Sequence, residues 1–381
     1  MKKLFLASAV SALFAAPATV LAQAKPAPVP TLDKILEASG ISVSGYIDAG
    51  YTHSDRNVET AFSTRVFDSQ NNSFALHQFG LQVAKQPKEG FGGLVNITVG
   101  KDAQVIHSFP ENNPAVPVTN TSMFDVTQAF AQYAGGPLTL IAGKFVTLQG
   151  SEVIWSPTNP NISRSILFGA IPFTHTGVRA TWALSDAVSL IAGVNNGWDQ
   201  LTDSNRPKTV ELGATLNPIK PLSITVSGYS GKEPTSATTN GTRTSLNAVA
   251  SYTIIDPLSV GLEVLSVSQE NAGGGTTKQK YSGVAGYVSY MFAPKFRGVV
   301  RVESFDDKDG FHFGATVPVA FATSDTKYKE VTATVSFLAS DSFEARGEVR
   351  RDQANNPVFT DFSLATSKTM TSIALQGLYK F

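Results

Sequence analysis

Sixteen stretches of this chain, each about ten to thirteen residues long, alternate apolar and polar side chains with a period of two. Two sorted classes of connection join them. The short class holds GGP before Leu138, LSDA around Ser185, NPIKP from Asn217, IDPL around Asp256, FAPKF around Pro294, LASDS around Ser340 and QPKEGF from Gln86. These carry the Pro, Gly, Asp and Asn that tight turns require. The long class spans residues 52–73, 102–123, 149–173, 197–206, 232–242, 270–279, 307–326 and 352–366. A soluble two-sheet sandwich has no reason to sort its loops this way. Strict alternation of short turns and long loops predicts an all-β, closed antiparallel transmembrane barrel of about sixteen strands, with both ends on the short-turn side.

The first strand is expected at Ile41–Tyr51 and the last at Ser367–Phe381. In the terminal run TSIALQGLYKF, Ile373, Leu375, Gly377, Tyr379 and Phe381 share one parity and Ser372, Ala374, Gln376, Leu378 and Lys380 the other. Tyr379 and Phe381 therefore fall where a lipid-facing strand meets the interfacial aromatic belt, and they are the expected assembly signal. No apolar run long enough for a spanning helix occurs beyond the N-terminus.

That N-terminus reads as an export signal over residues 1–22. Lys2 and Lys3 precede an apolar stretch from Leu4 to Ala16, and Val20-Leu21-Ala22 offers small residues for cleavage. Residues 23–40 read as a periplasmic leader: the Pro/Ala spacer QAKPAPVP, then a short helix with Thr31 as N-cap and Gly40 as stop. The barrel proper is expected over 41–381. Without Lys2 and Lys3 the 30 basic residues fall to 28 against 30 acidic ones, a near balance that gives no argument for nucleic acid. With no cysteine, stability must come from strand pairing and burial rather than disulfides.

Parity separates the charges from the lipid face. Val300, Val302 and Ser304, then Val331, Ala333, Val335 and Phe337, then Leu258, Val260, Leu262 and Val264 face outward. Arg297, Arg301 and Glu303, and Glu344, Arg346, Glu348 and Arg350, fall on the opposite parity, joined by Asp48, Arg179, Glu211 and Glu263. A charge facing lipid near the midplane costs about 2 to 4 kcal/mol, so these side chains are expected to face a watery interior. They either solvate the inner wall in compensating pairs or set the field an ion feels.

The third long loop, residues 149–173, is unusually apolar, with Trp155, Ile162, Ile166, Leu167, Phe168, Ile171 and Phe173. It is expected to fold into the barrel and narrow it, with its two charges, Glu152 and Arg164, as constriction candidates.

The run NISRSILFGAIPFTHTGVR from Asn161 to Arg179, together with ISVSGYIDAGY from Ile41 to Tyr51 and the terminal Phe381, resembles the putative β-barrel porin-2 family. The resemblance implies an outer-membrane channel of a Gram-negative bacterium. General trimeric porins are similar in strand count and inward third loop, but theirs is acidic and faces an arginine cluster; here Glu152 and Arg164 cancel.

Expected partners are outer-membrane lipid and lipopolysaccharide, the barrel assembly machinery, small hydrophilic solutes and a homotrimer. The five histidines, His53, His77, His107, His175 and His312, show no metal-ligand spacing. No G-x-S-x-G elbow, P-loop or dinucleotide fingerprint occurs, so no cofactor, metal or catalytic residue is assigned. Residues 306–310, DDKDG, resemble a calcium loop in part, but Phe305 stands where its first ligand belongs. The reading is a passive diffusion channel. The alternative is a barrel acting as a surface receptor, adhesin or lipid hydrolase, although residues 23–40 are too few for a receptor's plug domain.

Overall fold

The computed structural model describes residues 31–381 except 57–64, 69, 111–121, 236–239, 272–276, 315–319, 321, 323–324, 362 and 364. The expected signal at 1–22 and the spacer at 23–30 lie outside the described residues. The helix α1, Leu32–Ser39, is present, with the Ile35 amide donating to the Thr31 carbonyl. Gly40 follows at φ 66°, the left-handed conformation that ends helices.

The sixteen expected strands close into one antiparallel barrel. They are β1 (Ser42–Ser54), β2 (Ser73–Lys85), β3 (Gly90–Val99), β4 (Phe124–Gly135), β5 (Leu138–Val146), β6 (Thr174–Ser185), β7 (Val188–Asn195) and β8 (Thr209–Ile219). The second half holds β9 (Leu222–Pro234), β10 (Asn240–Ile255), β11 (Leu258–Gln269), β12 (Gln279–Ala293), β13 (Phe296–Asp307), β14 (Thr326–Leu338) and β15 (Phe343–Ala354). A two-stranded ribbon, β16 (Phe359–Thr360) and β17 (Thr366–Ser367), interrupts the last long loop before β18 (Thr369–Lys380) closes the barrel on β1. Several strands outrun their alternating patterns: β9 reaches Pro234 and β15 reaches Ala354, because ladder pairing with β10 and β14 continues toward the long loops. The turns α2 (Ala103–Ile106) and α3 (Ile166–Gly169) lie inside long loops.

Register confirms the two faces. Val300 pairs Ala333, and Val302 pairs Val331, on an exposed apolar outer surface, whereas Arg301 pairs Thr332, which pairs Arg350, on the inner one. Around the short turns the outer surface carries an aromatic girdle. Phe91 lies 5.0 Å from Tyr133, Phe296 lies 5.1 Å from Phe337, and Phe381 stacks 6.3 Å from Phe79. Such rings sit at the height of the lipid headgroups.

Closure needs glycine at one point. Gly45 and Phe381 exchange two backbone hydrogen bonds of 2.9 Å, and a Cβ on Gly45 would stand 2.5 Å from the Phe381 ring.

Candidate functional site

The loop from Gln149 to Phe173 lies inside the barrel, and its apolar content explains why. Ile166, Leu167, Ala170 and Ile171 are buried in one cluster with the lumenal side chains Leu265, Tyr281, Phe305, Tyr328 and Met370. Phe313 and Phe359, from the last two long loops, complete that cluster. Burying each large aliphatic or aromatic side chain is worth about 1.5 to 3 kcal/mol, which together with the loop's hydrogen bonds to the wall works against the entropy of ordering the segment. Phe168 packs on Phe67 and Phe173 with ring centroids 5.4 and 5.3 Å away. The side of the barrel from β11 through β15 to β18 therefore carries an apolar core within its lumen.

Wall carboxylates hold the loop by its backbone. Glu303 accepts the amides of Ile166 and Leu167, each at 2.7 Å, which meets the first orphan donors of α3. The Ser165 side chain caps the same turn by accepting from the Phe168 amide at 3.0 Å. Glu348 accepts the Ile162 amide at 2.7 Å and the Ser163 amide at 3.1 Å. Glu263 accepts the Ser151 amide at 2.9 Å. Tyr46, from β1, packs edge-on to Trp155 at 4.4 Å and is hydrogen-bonded to Gln78.

Arginines complete the attachment. Arg301, fully buried, donates to Glu152 and to the Ser163 carbonyl at 2.7 Å each, and to Glu330 at 3.1 Å. Arg350 donates to the Arg164 carbonyl at 2.6 Å and pairs with Asp352 at 2.7 Å. Arg346 pairs with Glu344 at 2.7 Å. Arg297 donates to Glu344 at 2.6 Å and stays part-exposed near the short turns. On the opposite wall Arg179 pairs with Glu211 at 2.6 Å and lies 4.3 Å over the Phe145 ring.

Every wall charge singled out in the sequence thus projects inward, as parity requires. One expectation is corrected: Glu263, Arg301, Glu303, Glu344, Arg346, Glu348 and Arg350 do not meet a watery interior, being 0 to 5 % exposed. The apolar loop supplies amides and carbonyls that replace water as partners of Glu263, Arg301, Glu303, Arg346, Glu348 and Arg350, and Glu344 is held by Arg297 and Arg346. Glu152 and Arg164 are likewise only 3 % exposed; Glu152 turns to Arg301 on the wall, and Arg164 turns back into the loop. Arg164 donates to the carbonyls of Val153, Ile162 and Ile154 and lies 5.4 Å over the Phe67 ring. Ser151 and Val153 are the exposed neighbours of Glu152.

Three participants escaped the sequence reading. Glu330 and Asp352 share the inward parity of Glu303, which was a usable signal. Arg65, paired with Asp68 at 2.6 Å and with Asp352 at 3.7 Å, comes from a loop with no period to read.

The histidines stay apart. His175 is buried in contact with Tyr229, ring centroids 4.5 Å apart, and its Nδ1 donates to the Gly197 carbonyl at 3.0 Å. In the segment resembling a calcium loop, Asp307 instead accepts the His312 and Phe313 amides at 3.0 and 2.8 Å. Among the described residues no cluster of metal-ligating side chains is found.

A closed sixteen-stranded barrel with an apolar outer band, an aromatic girdle and an inserted loop defines an outer-membrane channel. The chain belongs to the family described as Putative beta-barrel porin-2, OmpL-like, which matches residues 40–381. It is an outer-membrane porin of a Gram-negative bacterium, a passive diffusion channel. Its fold is similar to that of the outer-membrane channel DcaP of Acinetobacter baumannii, at 12% identity and a TM-score of 0.60, covering 90% of this chain and 97% of that one. The anion-selective porin from Comamonas acidovorans is similar at 9% identity and a TM-score of 0.61, over 90% and 99% of the two chains. OmpT of Vibrio cholerae in its trimer form follows at 10% identity and a TM-score of 0.57, over 90% and 99%. No curated protein sequence matches this chain.

Proposed function

We propose that small hydrophilic solutes and ions cross this porin beside the inserted loop, along the wall formed by β7 to β10, with weak ion selectivity. The observation that carries the reading is an asymmetry of burial. The inward residues Ser189, Thr215, Thr225 and Ser251 on β7 to β10 remain half-buried or exposed, while Arg301, Thr332, Thr334 and Arg350 on β13 to β15 are covered by the loop. The loop narrows the passage through its backbone and through Ser151 and Val153, while Glu152 ties it to Arg301 on the wall and Arg164 braces its fold from within. Selectivity is weak because Asp48, Glu211, Glu263, Glu303, Glu344 and Glu348 are offset by Arg179, Arg297, Arg301, Arg346 and Arg350, and nearly all of them are buried.

The activity is transport without catalysis. Residues 1–22 serve as the cleaved export signal and residues 23–40 as a periplasmic leader; Tyr379 and Phe381 serve as the signal for the assembly machinery. The working unit is a homotrimer in lipopolysaccharide-containing membrane, a reading supported by the trimer form of OmpT. Purified protein in a planar bilayer under a salt gradient tests the channel. Ohmic steps with a reversal potential near zero are expected; folded protein that leaves conductance unchanged would refute the channel, and a strong cation or anion preference would refute the balance.

A further inference from the structure

Two rows of the lumen wall, followed by register, change their chemistry along their length. One row runs Ser189, Thr215, Thr225, Val249, Glu263, Ala285, Glu303 and Glu330 from β7 to β14. The next, nearer the short turns, runs Ser223, Ser251, Gly261, Tyr287, Arg301, Thr332 and Arg350. In both rows the charged members stand on β11 to β15 and the hydroxyls cluster on β7 to β10. Within these rows burial breaks at the same place: the charged members are covered by the inserted loop and the hydroxyl members keep contact with water, while nearer the long loops Glu211, Ser227, Tyr229, Ser245 and Asn247 on β8 to β10 are buried as well. Arg297 and Arg243, lumenal arginines that keep water contact, are already engaged, by Glu344 and by Gln269, each at 2.6 Å.

Resting on the passage described above, we propose that this porin passes small neutral polyhydroxylated solutes, of the sugar or sugar-alcohol class, in preference to charged solutes of the same size. A Ser or Thr hydroxyl both donates and accepts, as does each hydroxyl of a polyol, so the solute exchanges water for wall without an unmatched group. The Thr215 and Thr225 hydroxyls stand 3.4 Å apart, a pair able to accept and donate side by side. Thr225 is followed in its row by Val249, which adds an apolar surface for the C–H faces of a sugar ring. An ion in the same position sheds part of its hydration shell and meets no fixed countercharge in return, because the loop's amides and the neighbouring arginines have already taken the wall carboxylates.

Proteoliposome swelling reads this preference directly. Xylitol and arabinose are compared with sodium gluconate and potassium glutamate, and planar-bilayer conductance is measured on the same preparation. The neutral solutes are expected to enter at least about threefold faster than the charged ones. The variant Thr225→Lys should raise gluconate entry and narrow that ratio, and Thr225→Val with Ser251→Ala should slow polyol entry by a larger factor than it lowers ion conductance. Equal rates for neutral and charged solutes in a conducting protein would overturn the preference alone. Neither swelling nor conductance from folded protein would overturn the channel reading as well. A Thr225→Lys protein that conducts but leaves the ratio unchanged would place the discriminating surface elsewhere and refute the assignment to this wall.

Discussion

Arg301 on β13 and Glu152 in the inserted loop, 149 residues apart in sequence, form a hydrogen-bonded ion pair of 2.7 Å within the barrel, with both side chains excluded from water. The guanidinium also faces Glu330 at 3.1 Å and the Ser163 carbonyl at 2.7 Å, so one cation joins two carboxylates and the loop backbone. Removing it leaves Glu152 buried without a countercharge and Glu330 with only Arg350, 3.9 Å away. The variant Arg301→Met is expected to lose about 3 to 5 kcal/mol of stability, and Glu152→Gln added to it should recover part of that loss. Thermal unfolding of the purified protein, followed by circular dichroism, measures both.

Tyr46 reaches Trp155 only because Gly80 has no side chain. A Cβ there would stand 2.2 Å from the Tyr46 ring. Gly80→Ala should therefore tilt the tyrosine off its bond to Gln78 and loosen the Trp155 end of the loop, at about 1 to 3 kcal/mol. Protease sensitivity near Trp155 should rise in the variant, while a second substitution, Tyr46→Phe, should show a smaller effect because the ring packing is kept.

The long loop between β7 and β8 carries a pH-dependent clasp. One carboxylate oxygen of Asp199 accepts the Phe173 and Thr174 amides at 2.8 and 2.9 Å, and burial pushes its carboxyl up to about 6. The folded state thus takes up this proton more readily than the unfolded state does. Its contribution to stability increases as pH falls from about 6 toward about 4 and is lost as pH rises through 6. Asp199 sits at φ 51°, which asparagine tolerates well. Asp199→Asn should raise the unfolding midpoint at pH 7 and show less change between pH 7 and pH 5 than the native protein does.

At the closing seam, the Phe381 ring fills the space above Gly45 and stacks on Phe79. Deleting Phe381, or replacing Gly45 with Val, should lower the amount of heat-modifiable folded barrel in the outer membrane several-fold. If Phe381 acts as the signal for assembly beyond its packing, its deletion should reduce membrane insertion in cells more than refolding in detergent.

The wall was legible in the sequence and the filling was not, for a physical reason. A strand between lipid and lumen reports its own orientation: Val331, Ala333 and Val335 identify the outer face, and Glu330, Thr332 and Thr334 must then point inward. The loop's entry into the lumen could be read from Ile166, Leu167 and Phe168, which water would not tolerate in a free loop. Which wall it leans on could not, because that depends on contacts such as Glu348 with Ile162, 186 residues away, and Arg65 with Ser372, 307 residues away. The same gap hid the covering of the wall charges. Parity assigns a face, but whether that face meets water depends on what else folds against it.

The proposed passage runs along the open hydroxyl positions of β7 to β10, with the lumenal face of β11 to β15 sealed by the loop. The chain has no cysteine, so single introduced thiols can be read without background. The most direct measurement is single-channel conductance during exposure to a charged methanethiosulfonate reagent, with Thr225→Cys and Ser251→Cys on the open wall and Ala285→Cys beneath the loop. Stepwise reduction of current at Thr225 and Ser251, with no change at Ala285, is the expected result. Rapid block at Ala285 with no effect at the other two would contradict it, placing the passage on the side now assigned to the loop.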